Sequence, residues 1–173
     1  MKIIKTEFKD LLTINCDSHI DSRGCFSEIY REDKLFDVLG YRPKFCQDNL
    51  VQSKKNVLRG LHFQSEKYSQ SKLISVFDGK ILDVVVDLRK TSKTYLKHFK
   101  IVLSSKLKNS LFIPKGFAHG YLTMSENAIV HYKVDEYYNK KNEMIIAFDD
   151  NKFNIDWGIE KKKIILSQKD INA

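Results

Sequence analysis

Short apolar or alternating segments recur along this chain at close spacing, each too brief for a helix that could pack on its own. "KIIKTEF", "CFSEIY", "FCQDNLVQ", "VLRGLHF", "KLISVF", "KILDVVVDL", "HFKIVL", "SLFIP", "GYLTM" and "AIVHYKV" follow one another, separated by "DSRG", "FDGK", "PKG" and "AHG". Strand-length runs punctuated by turn residues predict an antiparallel all-β barrel or sandwich. In "KILDVVVDLR", Leu82, Val84, Val86 and Leu88 form one apolar face, and Ile81, Asp83, Val85 and Asp87 share the other. The first face is expected to pack in a core and the second to line a polar cavity. Only "REDKLFDVLG" has a helical period, with Leu35, Phe36, Val38 and Leu39 on one side and Gly40 as its stop. The charged stretch after Tyr138 carries apolar anchors at Ile145, Phe148, Ile155, Trp157 and Ile165, and is expected to wrap the same unit. A chain of 173 residues fits a single domain, 1–173.

Charge and cysteine usage narrow the partners. The net charge of +8 would attract any polyanion, but the basic residues are scattered, and no helix-turn-helix, zinc-finger or RNP pattern marks a nucleic-acid binder. A small anionic ligand fits better. Three cysteines, Cys16, Cys25 and Cys46, form neither a disulfide framework nor a zinc-type spacing, which points to a reducing cytoplasm. No signal-like or membrane-spanning apolar run is present in the sequence, so no membrane partner is expected.

The chemistry-bearing residues gather in "VLRGLHFQ", which sets Arg59 and His62 three positions apart in an apolar run. On a plain strand two such residues face opposite ways, and Gly60 between them marks a bulge that turns both toward one pocket. A guanidinium there needs an anionic partner, and its fork matches phosphate. His119, in "IPKGFAHGY", is expected on the loop from Gly116 to Gly120. Two histidines on a β-barrel raise the possibility of a metal-binding cupin. The paired H-x-H of such sites is replaced here by His62-Phe63-Gln64, and Glu66 comes too soon after it, so no metal site is expected.

"QDNLVQSKKNVLRGLHFQ", "GKILDVVVDLRKTSKTY", "LFIPKGFAHGYLTMSE", "YKVDEYY" and "LSQKD" occur in this order, and together they closely resemble the dTDP-4-dehydrorhamnose 3,5-epimerase family over nearly the whole chain. The resemblance implies an all-β, cupin-type jelly-roll barrel with a few short peripheral helices, usually a homodimer. It also implies inversion of the two carbons that flank a keto group on a nucleotide-diphosphate 4-keto sugar, with no cofactor. Such chemistry needs a base, an acid on the opposite ring face and a cation or donor near the keto oxygen.

By this resemblance His62 is the base, Asp170 the carboxylate that pairs with it, Tyr132 the proton donor and Lys72 the cation near the enolate oxygen. Arg23 and Arg59 are the two forks on the diphosphate. Phe26, Glu28, Gln47, Asn49, Tyr138 and Glu143 match positions that hold nucleotide or sugar, with Tyr138 stacking on the base. His119 is a substrate contact, and Asp83 is set to orient a histidine. Glu28 as an acceptor suits thymine but also the donor edge of guanine. Two departures from the family pattern, "AFDD" and "TSKTYLKHF", leave His62, Tyr132 and Asp170 untouched and leave the sugar open. A 3-epimerase, an epimerase of another nucleotide-linked keto sugar such as a GDP-heptose, and a non-catalytic sugar-nucleotide-binding barrel are the alternatives.

Overall fold

The structure, a computed structural model, describes residues 1–173 apart from the side chain of Glu66, the residue set aside above as a metal ligand, which lies outside the description. The strands are β1 (Lys2–Lys5), β2 (Leu12–Asn15), β3 (Ser18–Asp21), β4 (Gly24–Ser27), β5 (Gln47–Lys54), β6 (Leu58–Gln64), β7 (Lys72–Asp78), β8 (Lys80–Asp87), β9 (His98–Ser104), β10 (Asn109–Ile113), β11 (Phe117–Thr123), β12 (Asn127–Val134) and β13 (Glu143–Ile145). They form a six-stranded sheet, β1-β2-β10-β7-β12-β5, a five-stranded sheet, β13-β6-β11-β8-β9, and a separate β3-β4 hairpin. All the named strand pairs are antiparallel, and the two large sheets face each other as a jelly roll.

Alternation along the strands decides what lies between the sheets. Ile74 and Val76 of β7, Ile81 and Val85 of β8, Leu111 and Ile113 of β10, Phe117 and Tyr121 of β11, and Ala128 and Val130 of β12 bury one another with Phe8 and Leu11. The opposite face of β8 is not left to solvent. Val84 and Val86 pack with Leu58, Leu61, Ala118 and Leu122 under the C-terminal segment, whose Phe153 and Trp157 are buried there. The tail therefore wraps as expected, and both faces of β8 are buried because both are covered, with Asp83 and Asp87 set among Ile81 and Val85 on the inter-sheet face.

The α-helix α1 (Glu32–Leu39) ends at Gly40, whose φ of 77° is left-handed, and it seats Leu35 against Leu12, Ile14, Leu73 and Phe112 on the outer face of the six-stranded sheet. A second short helix, α2 (Gln168–Ile171), lies near the C-terminus. Among the described residues no helix is long and apolar enough to cross a membrane.

Two expectations need correction. "AHG" is not a turn: Gly120 lies inside β11, so His119 sits on a strand and not on a loop. The absence of a side chain at Gly120 serves a close approach, since a Cβ there would lie 2.8 Å from the Arg59 carbonyl oxygen. Asp87 is not on a cavity wall either. Its carboxylate is saturated by the Arg89 side chain and backbone and by the hydroxyls of Ser92 and Thr94, which organise the turn after β8.

Candidate active site

At one end of the inter-sheet space the apolar filling gives way to a cleft with two lobes, about 260 and 280 Å³, that share His62, Lys72 and Tyr132. Lys72 is the first residue of the β7 face that continues into the core as Ile74 and Val76. Tyr132 continues the β12 face of Ala128 and Val130. The period of two thus places the last inward positions of each strand at the cleft.

The β6–β11 pairing explains "VLRGLHFQ". His62 lies opposite His119 and Arg59 opposite Tyr121, so three residue steps on β6 match two on β11. The extra residue is Gly60, with φ of 115°; a Cβ on it would fall 2.6 Å from both the Gly120 Cα and the His119 carbonyl oxygen. This bulge puts Arg59 and His62 on the same face, where both line the second lobe. Arg59 is exposed, not buried. Its Nε donates to Ser53 Oγ at 3.0 Å, and it has no carboxylate partner among the described residues.

Two histidine–carboxylate pairs face the cleft from these neighbouring strands. His62 Nε2 lies 2.5 Å from Asp170 Oδ1, and the other carboxylate oxygen, Oδ2, accepts from Ser167 Oγ at 2.7 Å. The Asp170 side chain is 3% exposed and that of His62 29%, so the carboxylate is sealed and the imidazole is open to the cleft. Burial disfavours the charged Asp170, yet the hydrogen bonds from His62 and Ser167 outweigh it and hold the carboxyl below its ordinary value. Opposite, His119 Nε2 lies 2.9 Å from Asp83 Oδ2, with both residues buried, and Asp83 Oδ1 is left without a partner among the described residues.

The remaining walls are mostly polar, with Val51, Phe63 and Val134 as the apolar exceptions. Burial pushes the Lys72 ammonium down to about 8, with Asp83 and Glu143 as the nearby charges that favour it. Burial also raises the Tyr132 phenol, and Arg59 pulls it back. Gln47, Asn49, Tyr138 and Glu143 line the first lobe. Gln47 Nε2 donates to Asn49 Oδ1 at 2.8 Å, and Tyr138 Oη donates to Glu143 Oε2 at 2.7 Å. The same carboxylate is paired with Lys169, and burial of Glu143 is outweighed by these two bonds, so its carboxyl stays below the usual range.

The structure brings together His62, Asp170, Tyr132, Lys72, Arg59, Gln47, Asn49, His119, Tyr138 and Glu143 around the cleft, with Asp83 behind His119. It does not bring Arg23, Phe26 and Glu28 there. Arg23 is bonded to Asp21 in the β3–β4 turn with its side chain 88% exposed, Phe26 is 69% exposed, and Glu28 faces Arg31 at 4.0 Å. Tyr121, Ser167, Lys169 and Gln70, which no motif assigns a role, also line the cleft, as does Gln64, considered above only as the replacement of a metal-ligating histidine. Tyr121 and Gln64 had a legible signal, since they lie two residues from His119 and His62 on strands. Ser167 and Lys169 had only the short "LSQKD", which has no period.

This geometry has counterparts. The model of the family described as dTDP-4-dehydrorhamnose 3,5-epimerase matches residues 5–173. A dTDP-4-dehydrorhamnose 3,5-epimerase of Shigella flexneri is 41% identical over 173 residues, 100% of this chain and 94% of that protein. The crystal structure of the enzyme of that name from Elizabethkingia anophelis NUHP1 superposes with a TM-score of 0.96 at 43% identity, covering 100% of this chain and 94% of the other. A dTDP-6-deoxy-D-glucose-3,5-epimerase of Legionella pneumophila Philadelphia 1, in complex with dTDP-4-keto-L-rhamnose, superposes with a TM-score of 0.94 at 39% identity, covering 99% and 90%. With one family spanning nearly every residue and a cupin-like jelly roll common to them all, the chain belongs to the dTDP-4-dehydrorhamnose 3,5-epimerase family.

Proposed function

We propose that this protein is a cofactor-independent isomerase that converts dTDP-4-keto-6-deoxy-D-glucose to dTDP-4-keto-L-rhamnose by deprotonation and reprotonation at C3 and C5. The observation that carries this is the placement of His62 and Tyr132 on opposite sheets, facing one cleft, with Lys72 on the strand next to that of Tyr132. A sugar ring lying between the sheets presents one face to each group. With Nε2 engaged by Asp170, His62 has Nδ1 to take a proton from carbon, and the sealed carboxylate favours the imidazolium that results. The electron pair moves to the C4 oxygen, where the Lys72 ammonium offsets the developing charge. Tyr132 then delivers a proton to the same carbon from the other face, inverting it. The steps are redox-neutral.

Arg59, with no carboxylate partner among the described residues, suits the diphosphate, Tyr138 suits base stacking, and Gln47, Asn49, His119 and Glu143 suit the remaining polar groups. The chain acts as one domain, 1–173, in the cytoplasm, a compartment that its unpaired thiols favour. It works as a homodimer. The β3–β4 hairpin holds Arg23, Phe26 and Glu28 away from the chain's own cleft, with Ile20 81% and Phe26 69% exposed, as suits an element that completes a second copy's site.

Incubation with the dTDP-4-keto sugar in heavy water tests the reading. One deuteron at each of C3 and C5 is expected. Uptake at C3 alone indicates a 3-epimerase, turnover only of a GDP-linked keto sugar indicates another nucleotide, and binding without uptake indicates a non-catalytic barrel; each overturns the proposal.

A further inference from the structure

We propose that Ser167 is a positioning residue of the His62–Asp170 pair, its hydroxyl holding one carboxylate oxygen so that the other is presented to the imidazole. This rests on the reading of His62 as the base. Asp170 occupies the third position of α2, where an acidic side chain ordinarily turns back to the backbone N–H of the capping residue. Here the carboxylate is aimed elsewhere, with Oδ1 at His62 Nε2 and Oδ2 at Ser167 Oγ. Ser167 uses its hydroxyl twice. It accepts from the Asp170 backbone N–H at 3.2 Å as the helix cap, and it donates its own proton to Asp170 Oδ2 at 2.7 Å.

The first bond is what any capping serine makes. The second has no role in capping, because a carboxylate gives the helix no donor. It does restrain the carboxylate rotamer: without it, only the bond to His62 Nε2 and the surrounding packing hold the terminal torsion, which is broad for this side chain. The orientation of His62 then rests on a single bond from a carboxylate that can turn. Ser167 also lines the cleft beside Asp170 and Lys169, so the bond sits where a small displacement reaches the reacting atoms.

The test compares deuterium uptake from heavy water by wild-type protein, Ser167→Ala, Ser167→Thr, Asp170→Ala and the Ser167→Ala/Asp170→Ala double variant, with melting temperatures alongside. Ser167→Ala is expected to lower kcat for uptake at both carbons by about 10-fold, with KM retained within about twofold. Ser167→Thr keeps the hydroxyl and restores the rate. In the Asp170→Ala background, Ser167→Ala costs nothing further, since its effect runs through the carboxylate. Melting falls in both Ser167→Ala proteins, because capping is lost in both. A wild-type rate in Ser167→Ala, or an equal loss with and without Asp170, overturns the role of Ser167 while leaving the base assignment standing. Full uptake by Asp170→Ala overturns the pair itself, and Ser167 with it.

Discussion

At the scale of single residues, Lys72 carries the clearest pH signature. Burial sets its folded value near 8 against an ordinary 10.5, so the ammonium is present below about 8 and is lost as pH rises through it. Turnover in the free enzyme, read as kcat/KM, is expected to fall on the alkaline side near pH 8, and Lys72→Arg to move that fall upward out of the measurable range. An unmoved alkaline limb in Lys72→Arg assigns it to another group. The same shift has a stability consequence of opposite sense. Between about 8 and 10.5 the unfolded chain holds a proton that the folded one has released, so this residue's contribution to stability rises with pH across that window. Urea midpoints at pH 7.5 and 9.5 should show that rise in the wild type and its loss in Lys72→Met. The five histidines also sort at this scale. His62 and His119 face the cleft with carboxylates behind them, His98 bonds the Phe153 carbonyl, His131 stacks on Phe77 on the outer sheet face, and His19 lies beside Phe26 on the hairpin. Their motifs marked out the first two, but the geometry that pairs His62 with a residue 108 positions away is a tertiary fact that no local pattern carries.

Among the elements, β6 shows how a local sequence signal becomes a site. The Gly60 bulge was legible because a glycine between two expensive residues has few other uses in a strand, and the pairing with β11 bears it out. A side chain at Gly60 meets backbone at 2.6 Å and a φ of 115° that L-residues rarely adopt, so Gly60→Ala is expected to destabilise by more than ~1 kcal/mol and to separate Arg59 from His62. Melting and substrate affinity falling together supports this, and an unaltered KM contradicts it. Asp87 is the structural counterpart. Burial works against its charge, yet bonds from Arg89, Ser92 and Thr94 hold it at about 2. Its stabilising contribution is complete above the unfolded value near 3.8 and is lost as pH falls toward 2. Asp87→Asn should flatten that acid loss in denaturation curves taken between pH 5 and 2.5. Strands with a strong period were legible, whereas β3 and β13 have no alternation to read, and β2 alternates Leu12 and Ile14 with Thr13 and Asn15 over only four residues, too short to stand out. Glycine in "AHG" reads as a turn, which would set His119 on a loop, whereas Gly120 serves the close approach of β11 to β6 and leaves His119 on the strand.

At the scale of the whole molecule, two sheets converge on one cleft, and a hairpin points away from it. By the family resemblance Arg23, Phe26 and Glu28 belong to the nucleotide-sugar site, yet within one chain Arg23 and Phe26 stand exposed on the hairpin and Glu28 faces Arg31. A homodimer in which Arg23 of the partner subunit reaches the cleft predicts a sedimenting species of twice the 20.3 kDa chain mass. It also predicts that Arg23→Ala raises KM by about 10-fold with kcat little changed, the pattern of a lost ground-state contact. A monomer with wild-type kinetics contradicts this. The proposed function has the base reach the sugar from β6 and the acid from β12, on facing sheets. Deuterium uptake and stereochemical inversion, followed together in heavy water for His62→Ala and Tyr132→Phe, test it most directly. His62→Ala should take up no deuterium at either carbon, while Tyr132→Phe should retain uptake and lose inversion. Uptake by His62→Ala at the wild-type rate rules out His62 as the base, and unimpaired inversion by Tyr132→Phe rules out Tyr132 as the acid.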